Sequence, residues 1–248
     1  MPVLKGKTAV VTGGSRGIGR AIVERLARDG AEVVFNYARS AEAAEEIVRA
    51  VEEAGGSARA VRLDLAEPGA AEQLMETASQ GPSGGVEILV NNAAVNLPRA
   101  PLAEIEEEDF DHLLSVNLKA AFLTVRYAAR HMPDGGRIIN ISTLNTVRAV
   151  PGVAPYMISK GALEQLTAAA AQELGERGIT VNTVSPGATD TDMLHAANPG
   201  DVLDLIVSIT PLRRLGQPSD VADIVAFLAG PDGRWLTGQN LRASGGLS

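Results

Sequence analysis

Short, nearly continuous apolar runs alternate with longer stretches of helical spacing along the whole sequence, and few architectures can be built from that pattern. Thr8 to Thr12, Glu32 to Phe35, Ala58 to Leu63, Glu87 to Asn91, Arg137 to Ser142, Ile179 to Val184 and Gln239 to Ala243 read as strands. Between them, Gly17 to Arg28, Ser40 to Glu53, Pro68 to Ser79, about 107–131, about 155–176 and Ser219 to Leu228 carry the periodicity of helices. Glycine pairs such as Gly55-Gly56 and Gly135-Gly136 end some of them. Strands that are apolar on both sides belong in a parallel sheet covered by helices on both faces. The expectation is therefore an α/β doubly wound domain of about seven strands spanning 1–248. An eight-stranded barrel would need eight regular repeats, and the long connections at 143–155 and 185–217 do not supply them. Residues 191–209 read as a partly helical insertion, and a substrate loop is expected at about 188–212.

Composition removes several function classes. The chain has 248 residues, 45% hydrophobic and 21% charged, which suits a packed globular core. It has no cysteine, so disulfides, thiolate metal sites and cysteine nucleophiles are excluded. Its three histidines, His112, His131 and His195, lack metal-ligand spacing, and no metal is expected. A net charge of −8 disfavours nucleic acid as a partner. No apolar run approaches the roughly 20 residues that span a bilayer, and the strand-like run begins too early for a signal peptide. The cytoplasm is the expected location, with no membrane partner.

Ligands of doubly wound sheets bind at the carboxyl ends of the strands, so residues just after each strand carry the functional argument. After the first strand comes Thr12-Gly13-Gly14-Ser15-Arg16-Gly17-Ile18-Gly19, opening a helix. Glycines 13, 17 and 19 permit a sharp turn and close backbone approach, and free N–H groups at the helix start face an anion. Tyr156 and Lys160 are four apart on a helix and share a face. A phenol titrates near 10, so it needs a positive field, which an ammonium and a bound nucleotide can supply, to do acid–base work at neutral pH.

The glycine turn, Asn91-Asn92-Ala93-Ala94, Asn117 and Tyr156-Met157-Ile158-Ser159-Lys160, in this order and spacing, resemble the short-chain dehydrogenase/reductase family over the whole chain. The segment Asn36-Tyr37-Ala38-Arg39-Ser40 and the tail from Pro211 to Gly246 are similar to its 3-oxoacyl-[acyl-carrier-protein] reductase-like branch. The resemblance implies a Rossmann-like fold and a nicotinamide cofactor. NAD enzymes usually carry an acid at the end of the second strand, but here no Asp or Glu occurs from Val33 to Ala41. Arg16 and Arg39, with Ser40, can instead meet a 2′-phosphate, which favours NADP(H) over NAD(H). By the same resemblance, Ser15 and Ile18 belong to the phosphate turn, Asp64 and Leu65 hold the adenine, and Asn92, Ala93 and Ala94 pass along the ribose. Pro186, Gly187, Thr189 and Thr191 then hold the carboxamide and pyrophosphate. Ala94 stands where the family usually has glycine.

The family's catalytic serine lies thirteen residues before the tyrosine; here that position is Thr143, with Ser142 one residue away. Neighbours on a strand face opposite sides, so the role is assigned to Thr143. Asn117 is expected to kink its helix and hold a water linking Lys160 to solvent; a core amide bonded to backbone is the alternative. The expected reaction is reduction of a ketone or 3-oxoacyl carbonyl, or the reverse oxidation, with Tyr156 as acid/base. A non-catalytic NADP-sensing regulator and an epimerase with transient oxidation are the alternatives. A homotetramer is implied. Docking of an acyl carrier protein is possible but not favoured, because Asp134, Glu173 and Glu176 dilute Arg126, Arg130 and Arg177. Apolar candidates for the substrate pocket are Leu97, Leu144, Val150, Val153, Met157, Met193 and Leu194.

Overall fold

A computed structural model describes residues 3–81, 83–198 and 200–247. β1 (Thr8–Val11), β2 (Glu32–Tyr37), β3 (Ser57–Arg62), β4 (Ile88–Asn91), β5 (Arg137–Ile141), β6 (Thr180–Pro186) and β7 (Asn240–Ala243) form one sheet. Its order is β3-β2-β1-β4-β5-β6-β7, and every pairing is parallel. The order reverses between β1 and β4, where Val10 lies opposite Leu89, and this switch opens a crevice at the strands' carboxyl ends.

Alternation along the strands feeds two cores. Val11, Val33, Phe35, Val90 and Ile141 face α1 (Gly17–Arg28), α2 (Ala41–Glu53) and α9 (Pro218–Ala229). Val10, Val34, Leu89, Ile138 and Val181 face the other side. There they meet α3 (Ala70–Ser79), α5 (Ala120–His131) and α6 (Ala154–Leu174). Buried on both sides, the inner strands are mostly apolar, and the polar residues they do bury are bonded: Asn140 to Thr167 at 2.8 Å and Asn182 to the Leu236 carbonyl at 2.7 Å.

The helix expected over 107–131 is not continuous. α4 (Glu107–Leu114) passes through a π-helical turn, Ser115–Lys119, before α5 begins. An i→i+5 turn adds one residue to the coil, which apolar spacing does not reveal. Residues 188–212 hold α7 (Asp192–Ala197) and α8 (Gly200–Ile209). α8 buries none of its residues, and Leu205 and Ile209 stay exposed. Among the described residues no helix is long and apolar enough to cross a membrane.

Candidate active site

The turn after β1 is braced from beneath. Asn36 is buried, its Oδ1 accepting from the Gly13 N–H at 2.9 Å and its Nδ2 donating to the Leu63 carbonyl at 2.9 Å. Its side chain therefore supports the turn and is not free to meet a ribose. Asn92 does the same from β4: its amide donates to the Thr12 and Gly13 carbonyls at 2.9 and 3.1 Å. Gly19 sits so close that a Cβ there would lie 2.2 Å from the Gly13 carbonyl oxygen and 2.5 Å from the Asn92 amide. What this bracing leaves open is a row of donors. The backbone N–H groups of Ser15, Arg16, Gly17, Ile18 and Gly19 have no hydrogen-bond partner among the described residues. That is the arrangement an anion meets at a helix N-terminus.

At the end of β2, Tyr37 packs partly against the core, while Ala38, Arg39 and Ser40 are exposed. Arg16 is exposed too. Neither Arg16 nor Arg39 makes an ion pair among the described residues. Residues 12–19 and 36–41 thus carry two unpaired cations and no acid, a combination that fits a phosphate. Asp64 turns inward on its own loop, accepting from the Ala66 N–H at 3.0 Å, and Leu65 is buried among Ala70, Ala71 and Ala120. The Asp64 carboxylate stays exposed with its second oxygen unused among the described residues, whereas Leu65 offers a ligand only its backbone. Ala93 lies against Gly13, and its N–H, like that of Asn92, donates to the Thr12 hydroxyl at 2.9 Å. Ala94 follows, partly exposed.

Across the crevice, Tyr156 and Lys160 lie one turn apart on α6, with the Lys160 ammonium 5.8 Å from the Tyr156 ring centroid. Lys160 is 1% exposed and donates to the Ile141 carbonyl at 2.7 Å. Burial lowers its pKa to about 8. Burial also pushes the Tyr156 phenol up to about 12, against the pull of its hydrogen bond with the Thr143 side chain. The side chains alone therefore keep the phenol protonated, and the depression a base needs has to come from a bound positive field.

Thr143 and Ser142 face opposite ways. The Thr143 hydroxyl accepts from the Asn145 N–H at 3.3 Å and meets Tyr156, whereas Ser142 donates to the Glu164 carboxylate at 2.6 Å. Asn117, buried in the π turn, accepts from the Val95 N–H at 2.8 Å and donates to the Val95 carbonyl at 2.9 Å. Its Nδ2 lies 3.2 Å from the Ser159 hydroxyl, so it ties the loop after β4 to α6 beside Lys160. Its side chain makes no direct bond to Lys160.

The loop after β6 completes the wall. Pro186 ends the strand, and the Gly187 N–H donates to Ala243 at 2.9 Å. Thr189 is buried, with its hydroxyl on the Gly187 carbonyl, and Thr191 caps α7 by accepting from the Leu194 N–H at 3.3 Å. Leu97, Val150, Met157 and Leu194 are partly exposed and Met193 is exposed, whereas Leu144 and Val153 are buried. Sequence reading missed Glu164, whose role as a hydroxyl acceptor depends on contacts between segments far apart in the chain.

Comparison with known proteins agrees with this geometry. Residues 13–248 match the family model described as enoyl-(acyl carrier protein) reductase. An uncharacterised oxidoreductase of Methylorubrum extorquens is 44% identical over 249 residues, covering 100% of both chains. A blue fluorescent protein from a metagenomic library, solved in complex with NADPH, superposes with a TM-score of 0.93 at 44% identity over 99% of each chain. The angucycline C-6 ketoreductase LanV with bound NADP gives 0.93 at 42% identity, over 99% of this chain and 96% of that one. With a family model spanning nearly its whole length and relatives this similar end to end, the chain belongs to the short-chain dehydrogenase/reductase family.

Proposed function

We propose that this oxidoreductase uses NADP(H) to reduce a free small ketone to a secondary alcohol. The observation that carries the reading is the convergence of Thr143, Tyr156 and Lys160 at the carboxyl end of the sheet, beside a phosphate-suited turn. NADP-bound relatives and the two unpaired arginines near the β2 end support the choice of cofactor. Ser15 to Gly19 would hold the pyrophosphate, Arg16, Arg39 and Ser40 the 2′-phosphate, and Thr189 and Thr191 the nicotinamide end. When bound, the cofactor supplies or accepts the hydride.

The chain's own residues do the proton chemistry. The Thr143 hydroxyl accepts from the Asn145 N–H, so its one proton is directed to the Tyr156 side, where it can pass to a substrate carbonyl oxygen. A phenol held protonated by burial is the donor that reduction needs, and Tyr156 gives its proton to that oxygen as charge develops there. Lys160, still mostly charged at neutral pH with a pKa of about 8, stabilises the phenolate that remains.

Acyl carrier protein is the weaker substrate carrier in this reading. Arg126 is paired with Glu72 at 2.5 Å, and Arg177 with Asp134 at 2.9 Å, so two of the three basic candidates are already neutralised. The test is NADPH consumption over a panel of free ketones, with Tyr156→Phe as control. Turnover lost in the variant with cofactor binding retained is expected. A variant as active as the wild type, or no net NADPH consumption with any ketone, would refute the reading.

A further inference from the structure

We infer that Glu164 is a positioning residue for the Thr143 hydroxyl, an inference that rests on the role given to Thr143 above. Tyr156, Lys160 and Glu164 occupy successive turns of one face of α6. The Glu164 carboxylate makes no ion pair among the described residues. What it holds are hydroxyls. Its Oε1 accepts from Ser142 at 2.6 Å and from Thr146 at 2.8 Å. Ser185, at the end of β6, lies 3.4 Å away but is closer to Asn240, at 2.7 Å.

The two short bonds bracket Thr143. Ser142 precedes it at the end of β5, and Thr146 closes the 3-10 turn, Leu144–Thr146, that follows it. Each hydroxyl has one proton and a rival acceptor: the Lys160 carbonyl for Ser142, at 3.5 Å, and the Thr143 carbonyl for Thr146, at 3.0 Å. The carboxylate oxygen, at shorter range in both cases, outcompetes both backbone carbonyls. The peptide carrying Thr143 is thereby clamped on both sides to the helix that carries Tyr156. The two proton-handling side chains share one rigid mount, and their separation is set by α6, not by the loop. Misplacement of a reacting group by about 1 Å can cost on the order of a hundredfold in rate.

The experiment compares Glu164→Ala, Glu164→Gln, Thr143→Ala and the Thr143→Ala/Glu164→Ala double variant by kcat, KM and melting temperature. Glu164→Ala should lower kcat by about tenfold or more, with the KM for NADPH changed by less than about twofold. Glu164→Gln, which keeps the accepting oxygen, should recover most of that rate. If Glu164 acts through Thr143, the double variant is no slower than Thr143→Ala alone. The Ser142→Ala/Thr146→Val pair removes the same bonds from the other side and should reproduce the kcat loss even if Glu164→Ala folds poorly. Additive losses in the double variant, or a Glu164→Ala enzyme with unchanged kcat, would overturn the inference while leaving Thr143 in its role. Full activity in Thr143→Ala would overturn the reading of Thr143 itself.

Discussion

Arg39 is exposed and unpaired at a strand end where an NAD enzyme would present an acid, so its charge is available to a 2′-phosphate and to little else. Arg39→Ala should raise the Kd for NADPH by about tenfold or more while leaving NADH nearly unchanged, from roughly 1.5–3 kcal/mol for a charge-assisted bond. Isothermal titration with both cofactors checks this, and an equal loss for both would show that Arg39 does not read the phosphate. Lys160 makes a second prediction, in pH. Its folded pKa of about 8 lies below the ordinary 10.5, so between those values the unfolded chain binds more protons than the native one. Stability should therefore rise with pH across that window, by about 3 kcal/mol at most at roughly 1.4 kcal/mol per unit. Tyr156, raised from 10.0 to about 12, acts oppositely above pH 10. Urea unfolding of the wild type against Lys160→Met at pH 7, 8.5 and 10 isolates the lysine. The wild type should gain relative to the variant as pH rises, and a flat difference would mean that the ammonium is not desolvated. At this scale the sequence was legible for residue type and spacing but not for direction. Asn36 sits where a cofactor-reading residue is expected, yet its amide is consumed by Gly13 and Leu63, which only the packed turn reveals.

The strand and helix pattern could be read almost completely, because a doubly covered parallel sheet favours mostly apolar strands and amphipathic helices. What escaped were features produced by one element pressing on another. The form of the break at Asn117 is one: the resemblance implied a kink there, but not a π turn whose Asn117 side chain is held by Val95. Gly14 is another. The sequence argument singled out glycines 13, 17 and 19, but a Cβ at Gly14 would lie 2.6 Å from the Phe35 Cβ on the neighbouring strand. Phe35 is wholly buried and cannot swing aside. Gly14→Ala should destabilise the protein by about 1–3 kcal/mol through overpacking, and Phe35→Leu, which keeps the clashing Cβ and Cγ, should not restore that loss. Denaturant midpoints of the single and double variants measure it; a Gly14→Ala protein as stable as the wild type would show that the turn yields freely.

On the whole molecule, α4, the π turn, α5 and α6 leave an apolar face without a partner among the described residues. Leu114, Leu118, Phe122 and Leu166 line a groove of about 640 Å³, and Phe122 and Ile158 are 48% and 51% exposed. Most soluble oligomers are symmetric copies of one chain, and the family resemblance implies a tetramer, so a second copy is the proposed occupant. Phe122→Asp should shift sedimentation toward smaller species at micromolar concentration; a wild type that is already monomeric would reject the assembly.

The all-parallel sheet has a further consequence, in time rather than space. A parallel pair needs a crossover, so no hairpin is available to start the sheet. Its central seam, β1 against β4, pairs Val10 with Leu89 across the whole stretch of chain that holds β2 and β3. Non-local pairings of this kind slow folding and expose strand edges while the chain waits. The crevice at that seam draws its walls from both sides, Gly13 from one and Asn92 from the other, so a nucleotide bound across it would lock the junction that long-range closure must supply. Ligand at a hundred times its Kd adds about 2.7 kcal/mol to the native state. If nucleotide engages only after the seam has closed, that gain belongs to a slower reopening and not to a faster arrival.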